Sequence, residues 1–323
     1  MSNFIAFDLE GTLTPQDFTR NLMKQFPDGD KIFEVISRYS DLLALEERKD
    51  YEPGDMLALI IPFLVLHGIT ENKIAALASG ATLVDGAAKL ISWLQSSGWK
   101  VFCISATCEQ YALHITQKLG IFSHNVACTP FPLDNIRRNL NDEDMAIFQK
   151  AETDILAMYP LTSDEIIKDN LDRFFRKELP VTRIGEMIMQ VKPVGGHHKV
   201  EALTMFANKN NQPPSGWVVV GNSINDFRMF QAADASGGLA IAFNACKYAL
   251  PYATISLAST RISDLDSVLK AWQKGRMKAV EKAVKEKEKD GGIGDRGYFH
   301  WLSGKKDIDD VIKLHERIRQ IAR

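Results

Sequence analysis

The chain has 323 residues and a mass of 36.2 kDa, long enough for two domains or for one core with sizeable insertions. Hydrophobic residues make up 45% and charged residues 25%, an ordinary globular balance that excludes a disordered or low-complexity chain. The net charge of −2 excludes a uniformly basic nucleic-acid binder, although residues 273–323 alone carry 14 Lys and Arg against 9 Asp and Glu and offer a surface for an acidic partner.

The opening MSNFIAFDLEG has neither a basic n-region nor a cleavage site, so a cytoplasmic location is expected. Residues 4–8 (FIAFD) form an apolar run that ends on a carboxylate and is followed by Gly11 and Thr12, which predicts a buried strand and then a turn. Residues 18–80 are mostly helical by period, with helices predicted over 31–47 and 54–67. The longest apolar run, Met56–Leu66, contains Pro62 and is too short to span a bilayer. A second strand is predicted at 100–105 (KVFCIS) and a helix at 109–119. Residues 129–193 form a further insertion, with helices at 142–158 and 163–177, the latter started by Ser163 as N-cap. The run Met187, Ile188, Met189 reads as a buried strand.

Alternation then resumes: helix at 199–208, strand at 217–221 (WVVVG), helix at 226–233, strand at 239–243 (LAIAF). Residues 274–290 are rich in charge and are broken by Gly291 and Gly292. A helical pattern over 307–321 follows, with Ile308, Val311, Ile312, Leu314, Ile318 and Ile321 apolar. These predict a solvated helix and a packing helix, with a partner-binding arm as the other reading. The four cysteines include no CxxC pair and read as reduced thiols.

Strands alternating with helices predict an α/β fold, a parallel sheet with helices on both faces. Ligands of such sheets sit beyond the carboxyl ends of the strands, where the polar residues here are Asp8, Glu10, Ser105, Asn222 and Asp226. Two carboxylates at one turn suit phosphoryl chemistry. One attacks phosphorus as nucleophile; the other protonates the leaving oxygen and later activates water. Charge spread over phosphoryl oxygens needs cations and donors, for which Lys199, Ser105 and backbone N–H groups are suited. Mg²⁺ needs hard oxygens, available from Asp8, a backbone carbonyl and the Asn222–Asp226 turn.

At these residues the sequence resembles the haloacid dehalogenase (HAD) superfamily, in a layout similar to its phosphoserine-phosphatase-like branch. The run Asp8-Leu9-Glu10-Gly11-Thr12-Leu13-Thr14 resembles the first motif, and Ile104-Ser105-Ala106 the second. Lys199, 27 residues before Asp226, resembles the third. Gly221-Asn222-Ser223-Ile224-Asn225-Asp226 resembles the fourth, and Leu239 to Ala245 (LAIAFNA) the strand after it.

The resemblance implies a Rossmann-like HAD core from residues 1–14, 81–128 and 191–257. It further implies a helical C1-type cap at 15–80, a second insertion at 129–190 and a charged helical extension at 258–323. It implies Asp8 as nucleophile and Glu10 as general acid/base. Ser105, Ala106 and Lys199 would bind phosphate, with Lys192 a further candidate. Mg²⁺ would be held by Asp8, the Glu10 carbonyl, Asn222 and Asp226, and Asp17 would face substrate from the cap. The cap sequence also resembles, more loosely, uncharacterised archaeal HAD proteins, some of them labelled as accessory subunits of energy-converting hydrogenases.

Three positions depart from the family pattern. Glu10 stands for the usual second Asp, which moves the carboxyl by one methylene. Asn222 stands for a metal-binding Asp and removes a negative charge. Ala58 lies near the place of the cap arginine that recognises phosphoserine, so phosphoserine is not the expected substrate. The expected function is a Mg²⁺-dependent phosphatase for a small phosphorylated metabolite, acting through an aspartyl phosphate. Nucleic acid and membrane insertion are not expected. The alternative is a catalytically weak or inactive HAD-fold binding or accessory subunit of a larger complex.

Overall fold

The computed structural model describes residues 3–15, 17–289 and 297–322. In chain order its main elements are β1 (Asn3–Phe7), α1 (Phe18–Met23), α2 (Gly29–Leu45), α3 (Met56–Leu59), α4 (Ile61–Leu66), α5 (Glu71–Ser79) and α6 (Ala87–Ser96). Next come β2 (Trp99–Cys108), α7 (Glu109–Lys118), β3 (Val126–Thr129), α8 (Leu133–Arg138), α9 (Asp142–Leu156), α10 (Asp164–Arg173) and α11 (Gly185–Met189). The chain continues with α12 (Gly196–Lys209), β4 (Trp217–Gly221), α13 (Phe227–Ala235), β5 (Leu239–Phe243) and β6 (Ile255–Ala258). It ends with α14 (Asp266–Lys289), β7 (Tyr298–Trp301) and α15 (Asp309–Ala322).

The strands form a seven-stranded sheet in the order β3-β2-β1-β4-β5-β6-β7. All neighbours from β3 to β6 run parallel, and β7 adds an antiparallel edge. Ile5 of β1 lies opposite Val101 of β2 on one side and Val218 of β4 on the other. Side chains alternate across a strand, so each strand feeds two cores. Phe4, Ala6, Phe102 and Val219 pack under α12, α13 and α15 with Leu203, Phe206, Met229 and Phe230. Ile5, Phe7, Val101 and Val220 pack on the opposite face with Leu90, Ile91, Ile115, Leu269 and Trp272. A parallel sheet buried on both faces explains why its strands read as continuous apolar runs.

The predicted strands at 217–221 and 239–243 coincide with β4 and β5. Three strands went unread. β3, β6 and β7 have only four residues each, too few to show a period. The run Met187, Ile188, Met189 belongs to helix α11, not to a strand. Three consecutive apolar residues carry no period that separates the two. β2 continues past Ser105 to Cys108, with a register shift against β3 between Ile104 and Cys108.

Helices α1–α5 and α8–α11 pack together above one end of the sheet. Tyr39 stacks on Phe175, and Phe63 meets Phe174. Arg38 makes a two-pronged pair with Asp164 at 2.8 and 2.6 Å, and Asp172 takes both Arg48 and the Tyr39 hydroxyl at 2.6 Å. Solvent-exposed pairs such as Arg38–Asp164 contribute at most about 1 kcal/mol. Burial of Phe148, Phe174, Phe63 and Ile167 therefore does most to join the two insertions.

The charged tail is part of this architecture. α14 buries Val268, Leu269, Trp272, Val280 and Val284, with non-helical backbone at Gly275 and Arg276. The predicted break at Gly291 and Gly292 lies outside the described residues. In α15 the buried side chains are Val311 and His315, whereas Ile321, read as part of the apolar stripe, is 65% exposed. Among the described residues, no single helix is long and apolar enough to cross a membrane.

Truncation after Leu269 is expected to destroy cooperative unfolding, because it removes Trp272 from the core and uncovers the β6 edge. A thermal melt of the truncated chain checks this, and a wild-type-like transition would make the extension peripheral.

Candidate active site

Chain geometry brings the loops after β1, β2 and β4 together at one sheet edge. The loop after β1 is wound tightly around one carbonyl: Leu9 O accepts from the N–H groups of Thr12, Leu13 and Thr14 at 3.2, 2.8 and 3.0 Å. Asp8 N–H donates to Val220 O at 2.8 Å, which ties this loop to the end of β4. Gly11 has φ +76°, and a Cβ there would lie 1.9 Å from Asn222 Nδ2. Left-handed backbone and the close approach of Asn222 both demand glycine.

Behind the loop sits a buried ion triplet. Lys199, fully buried on the first turns of α12, donates from Nζ to Asp8 Oδ1 and to Asp226 Oδ1, both at 2.6 Å. The other Asp226 oxygen accepts from Asn222 N–H, Ser223 N–H and the Ser223 hydroxyl at 2.8, 2.9 and 3.2 Å. Both carboxylate oxygens of Asp226 therefore have partners. A buried carboxylate is tolerated on those terms. Gly221 is required beside it, since a Cβ there would come within 2.4 Å of the Asp226 carboxyl carbon.

Glu10 meets a different environment. Its Oε2 accepts from Phe18 N–H at 3.2 Å, and its carboxyl is enclosed beside the Thr107 side chain. Burial pushes Glu10 up to about 8, with the charge of Asp17 adding to the rise. Burial also raises Asp8, to about 6, against the opposing pull of Lys199. Lys199 itself is raised by its two carboxylate partners in spite of burial. At neutral pH this edge therefore presents an ionised Asp8 beside a protonated Glu10.

These groups line a cavity of about 240 Å³ between the sheet edge and the helical block. Asp8, Glu10, Asp17, Ser105, Ala106 and Asn222, all anticipated from sequence, face it. Lys199 and Asp226 stand behind the wall and act on it through Asp8 and the Asn222 turn. Asp17 also caps α1 by accepting from Arg20 N–H at 2.9 Å. Lys192 is exposed and does not line the cavity. His197 and His198 lie in the first turn of α12, with His198 Nδ1 at 2.9 Å from Pro193 O.

Three contributors were not read from sequence. Thr107 reaches the cavity because β2 runs on beyond Ser105, and its buried side chain meets the Glu10 carboxyl. Glu52, in the loop before α3, accepts from His197 N–H at 3.1 Å and from Arg228 Nε at 2.9 Å, latching the helical block to the core. Arg319 comes from α15, far along the chain. Only the hydroxyl at 107 carried a local signal, its place two residues after Ser105.

Among the described residues, no group of three His, Cys, Asp or Glu is arranged to hold a metal. The donors that do converge are hard oxygens: the Asp8 carboxylate and Asn222 Oδ1, the latter buried without a partner. That set fits Mg²⁺, which accepts one carboxylate together with neutral oxygens, waters and substrate phosphate.

A model of the haloacid dehalogenase-like hydrolases matches residues 83–264. The chain belongs to this family. Among solved structures it is similar to gene product AF1437 of Archaeoglobus fulgidus, at 25% identity and TM-score 0.86, over 100% of this chain and 97% of that one. It is also similar to a phosphoserine phosphatase solved as a phospho-aspartyl intermediate analogue. There the identity is 18% and the TM-score 0.54, over 82% of this chain and 97% of the other. A substrate-bound phosphoserine phosphatase complex gives 17% and 0.53, over 82% and 97%. Those last two likenesses are of fold. No curated protein sequence matches the chain. This HAD member thus keeps the α/β architecture expected from its motifs.

Replacing Lys199 by Met leaves Asp8 and Asp226 as an unpaired buried carboxylate couple. The expected loss of stability is about 3–5 kcal/mol, the usual effect of removing one partner from a buried pair. Urea unfolding at neutral pH measures it, and a change below about 1 kcal/mol would show that the triplet does not hold this edge together.

Proposed function

We propose that this protein is a phosphatase that hydrolyses a small phosphomonoester through a phosphoryl group carried on Asp8. The observation that carries the reading is the pairing in one cavity of Asp8, held at 2.6 Å by buried Lys199, with Glu10, whose enclosed carboxyl has no cationic partner and is pushed toward its protonated form by burial. A solved structure of shared fold, named as a phospho-aspartyl intermediate analogue of phosphoserine phosphatase, supports it.

In the first step the Asp8 oxygen not engaged by Lys199 forms a bond to phosphorus, and the bond to the ester oxygen breaks. Glu10 gives its proton to that leaving oxygen, releasing an alcohol. In the second step Glu10, now a carboxylate, takes a proton from water as the water oxygen bonds to phosphorus. The Asp8 acyl phosphate bond breaks, and inorganic phosphate leaves. Ser105 and the backbone of Ala106 would hold phosphoryl oxygens, and Lys199 keeps Asp8 ionised and positioned. Mg²⁺, held by Asp8, the Glu10 carbonyl and Asn222, with Asp226 behind through water, would supply positive charge for the phosphoryl oxygens. Asp17 would meet substrate from the cap side. The Glu52 latch ties the helical block to the core next to the cavity, an arrangement that favours small metabolites.

The second reading is a binding or accessory subunit of a larger complex, for which the basic C-terminal extension would be the docking surface. Asn222 favours it, because a neutral amide stands where the family has a carboxylate. The enclosed, protonated Glu10 argues against it, since a scaffold gains nothing from burying an acid.

Hydrolysis of an aryl phosphate is expected to require Mg²⁺ and to fall at least about 1000-fold in Asp8→Asn. Its kcat/KM should decline as pH rises through about 8, where Glu10 loses its proton. Glu10→Gln should remove the declining limb. An inactive wild type beside an active Asn222→Asp variant would overturn this reading in favour of the accessory role.

A further inference from the structure

Glu10 is the acid of the proposed reaction, and Oε2 of its carboxyl is fixed by Phe18 N–H at 3.2 Å. Phe18 is itself anchored, its ring stacked on Tyr111 of α7 with centroids 4.0 Å apart. A further polar group at this carboxyl is Thr107, which is 4% exposed and lines the same cavity as Asp8 and Glu10. Neither step of the proposed hydrolysis uses its hydroxyl.

An irregularity in β2 sets the position of Thr107. Along the β2–β3 ladder, β2 advances from Ile104 to Cys108 while β3 advances only from Ala127 to Thr129. Bulged strands re-aim side chains beside active sites, and here Ser105, Ala106 and Thr107 all reach the cavity. The irregular stretch is braced. Thr129 Oγ1 donates to Ala106 O at 2.7 Å and accepts from Val194 N–H at 3.0 Å, and Thr107 N–H donates to Ser105 Oγ at 3.4 Å. The neighbouring Cys108 thiol is buried and pushed up to about 12, so it keeps its proton and does not compete for the hydroxyl hydrogen of Thr107.

From this arrangement we propose that Thr107 is a positioning residue acting through Glu10: its hydroxyl donates to the carboxylate that develops as the Glu10 proton passes to the leaving oxygen, and then holds that carboxylate beside the attacking water. The proposal rests on the phosphatase reading for the proton transfer itself. Asp17 and Asp8 both oppose negative charge on Glu10, so donors are needed to offset it, and Phe18 N–H and Thr107 O–H are placed to do so. A hydroxyl rotates to suit either form of the carboxyl, whereas the backbone donor is fixed. Its hydrogen bond strengthens as the acceptor becomes charged, which is the change that Glu10 undergoes as the ester bond breaks.

The test compares three phosphomonoesters with Mg²⁺ present: 4-nitrophenyl phosphate, phenyl phosphate and an alkyl phosphate, whose leaving oxygens need protonation in increasing degree. Wild type, Thr107→Val, Thr107→Ala and Thr107→Ser are assayed on each, the alanine variant removing the hydroxyl a second time without the bulk of valine. Loss of the hydroxyl is expected to lower kcat/KM on the alkyl ester by about 10- to 100-fold, less on phenyl phosphate and least on 4-nitrophenyl phosphate. Inhibition by inorganic phosphate should stay as in wild type, and Thr107→Ser should keep most of the activity on all three esters. Unchanged turnover in Thr107→Val and Thr107→Ala would overturn the proposal. Equal losses on all three esters would also overturn it, by assigning the side chain to cavity shape or to the reacting phosphoryl. So would a Thr107→Ser variant as impaired as Thr107→Val. Any of these results in an active enzyme removes the proposal alone, whereas a wild type inactive on every ester would remove the phosphatase reading and the proposal with it.

Discussion

The buried contact of Lys199 with Asp8 and Asp226 is the constraint around which the rest of this structure is arranged. One ammonium group is shared between two carboxylates held at the ends of different strands, at 2.6 Å each. Without it, two charges would stand in a low-dielectric interior, an arrangement that costs several kcal/mol. With it, the ends of β1 and β4 and the start of α12 are fixed against one another. The triplet has a net charge of −1, so the edge favours a cation beside Asp8. Stability and chemistry thus share the same atoms.

Glu10 shows the opposite strategy. Lacking a cationic partner, it responds to burial by holding its proton, and Asp17 reinforces that response. Two carboxyl groups two residues apart are separated in acidity by their surroundings alone, which suits one to attack and the other to donate. Asn222 adds a neutral oxygen where a third acid would raise the charge further. Its backbone N–H serves Asp226, and its side chain presses on Gly11. The substitution therefore leaves the loop intact while changing the charge that any bound cation meets.

Much of this site was legible in the sequence, because its motifs are local: an apolar strand, a carboxylate at its end, and a glycine for the turn. Asp8, Glu10, Ser105, Asn222 and Asp226 each follow that grammar, and Lys199 was found by its spacing. What escaped was either too short or too distant. The four-residue strands β3, β6 and β7 show no period, and the Met187–Met189 run gives no sign of being helical. His315 reads as an interruption of an apolar stripe, yet it is the residue that docks α15. Glu52 acts only through contacts formed across 145 and 176 residues of chain, to His197 and Arg228, and Arg319 reaches the cavity from the far end of the chain. No local pattern encodes those.

The central claim is that Asp8 carries the phosphoryl group, and the most direct measurement is to look for it there. Wild-type protein and Asp8→Asn would each be mixed with an aryl phosphate and Mg²⁺, quenched in acid during turnover, digested and analysed by mass spectrometry. The account predicts a phosphoryl group on the peptide containing Asp8, released by hydroxylamine as an acyl phosphate should be, and absent from Asp8→Asn. Turnover that leaves Asp8 unmodified while a phosphoryl group appears on another side chain would contradict it.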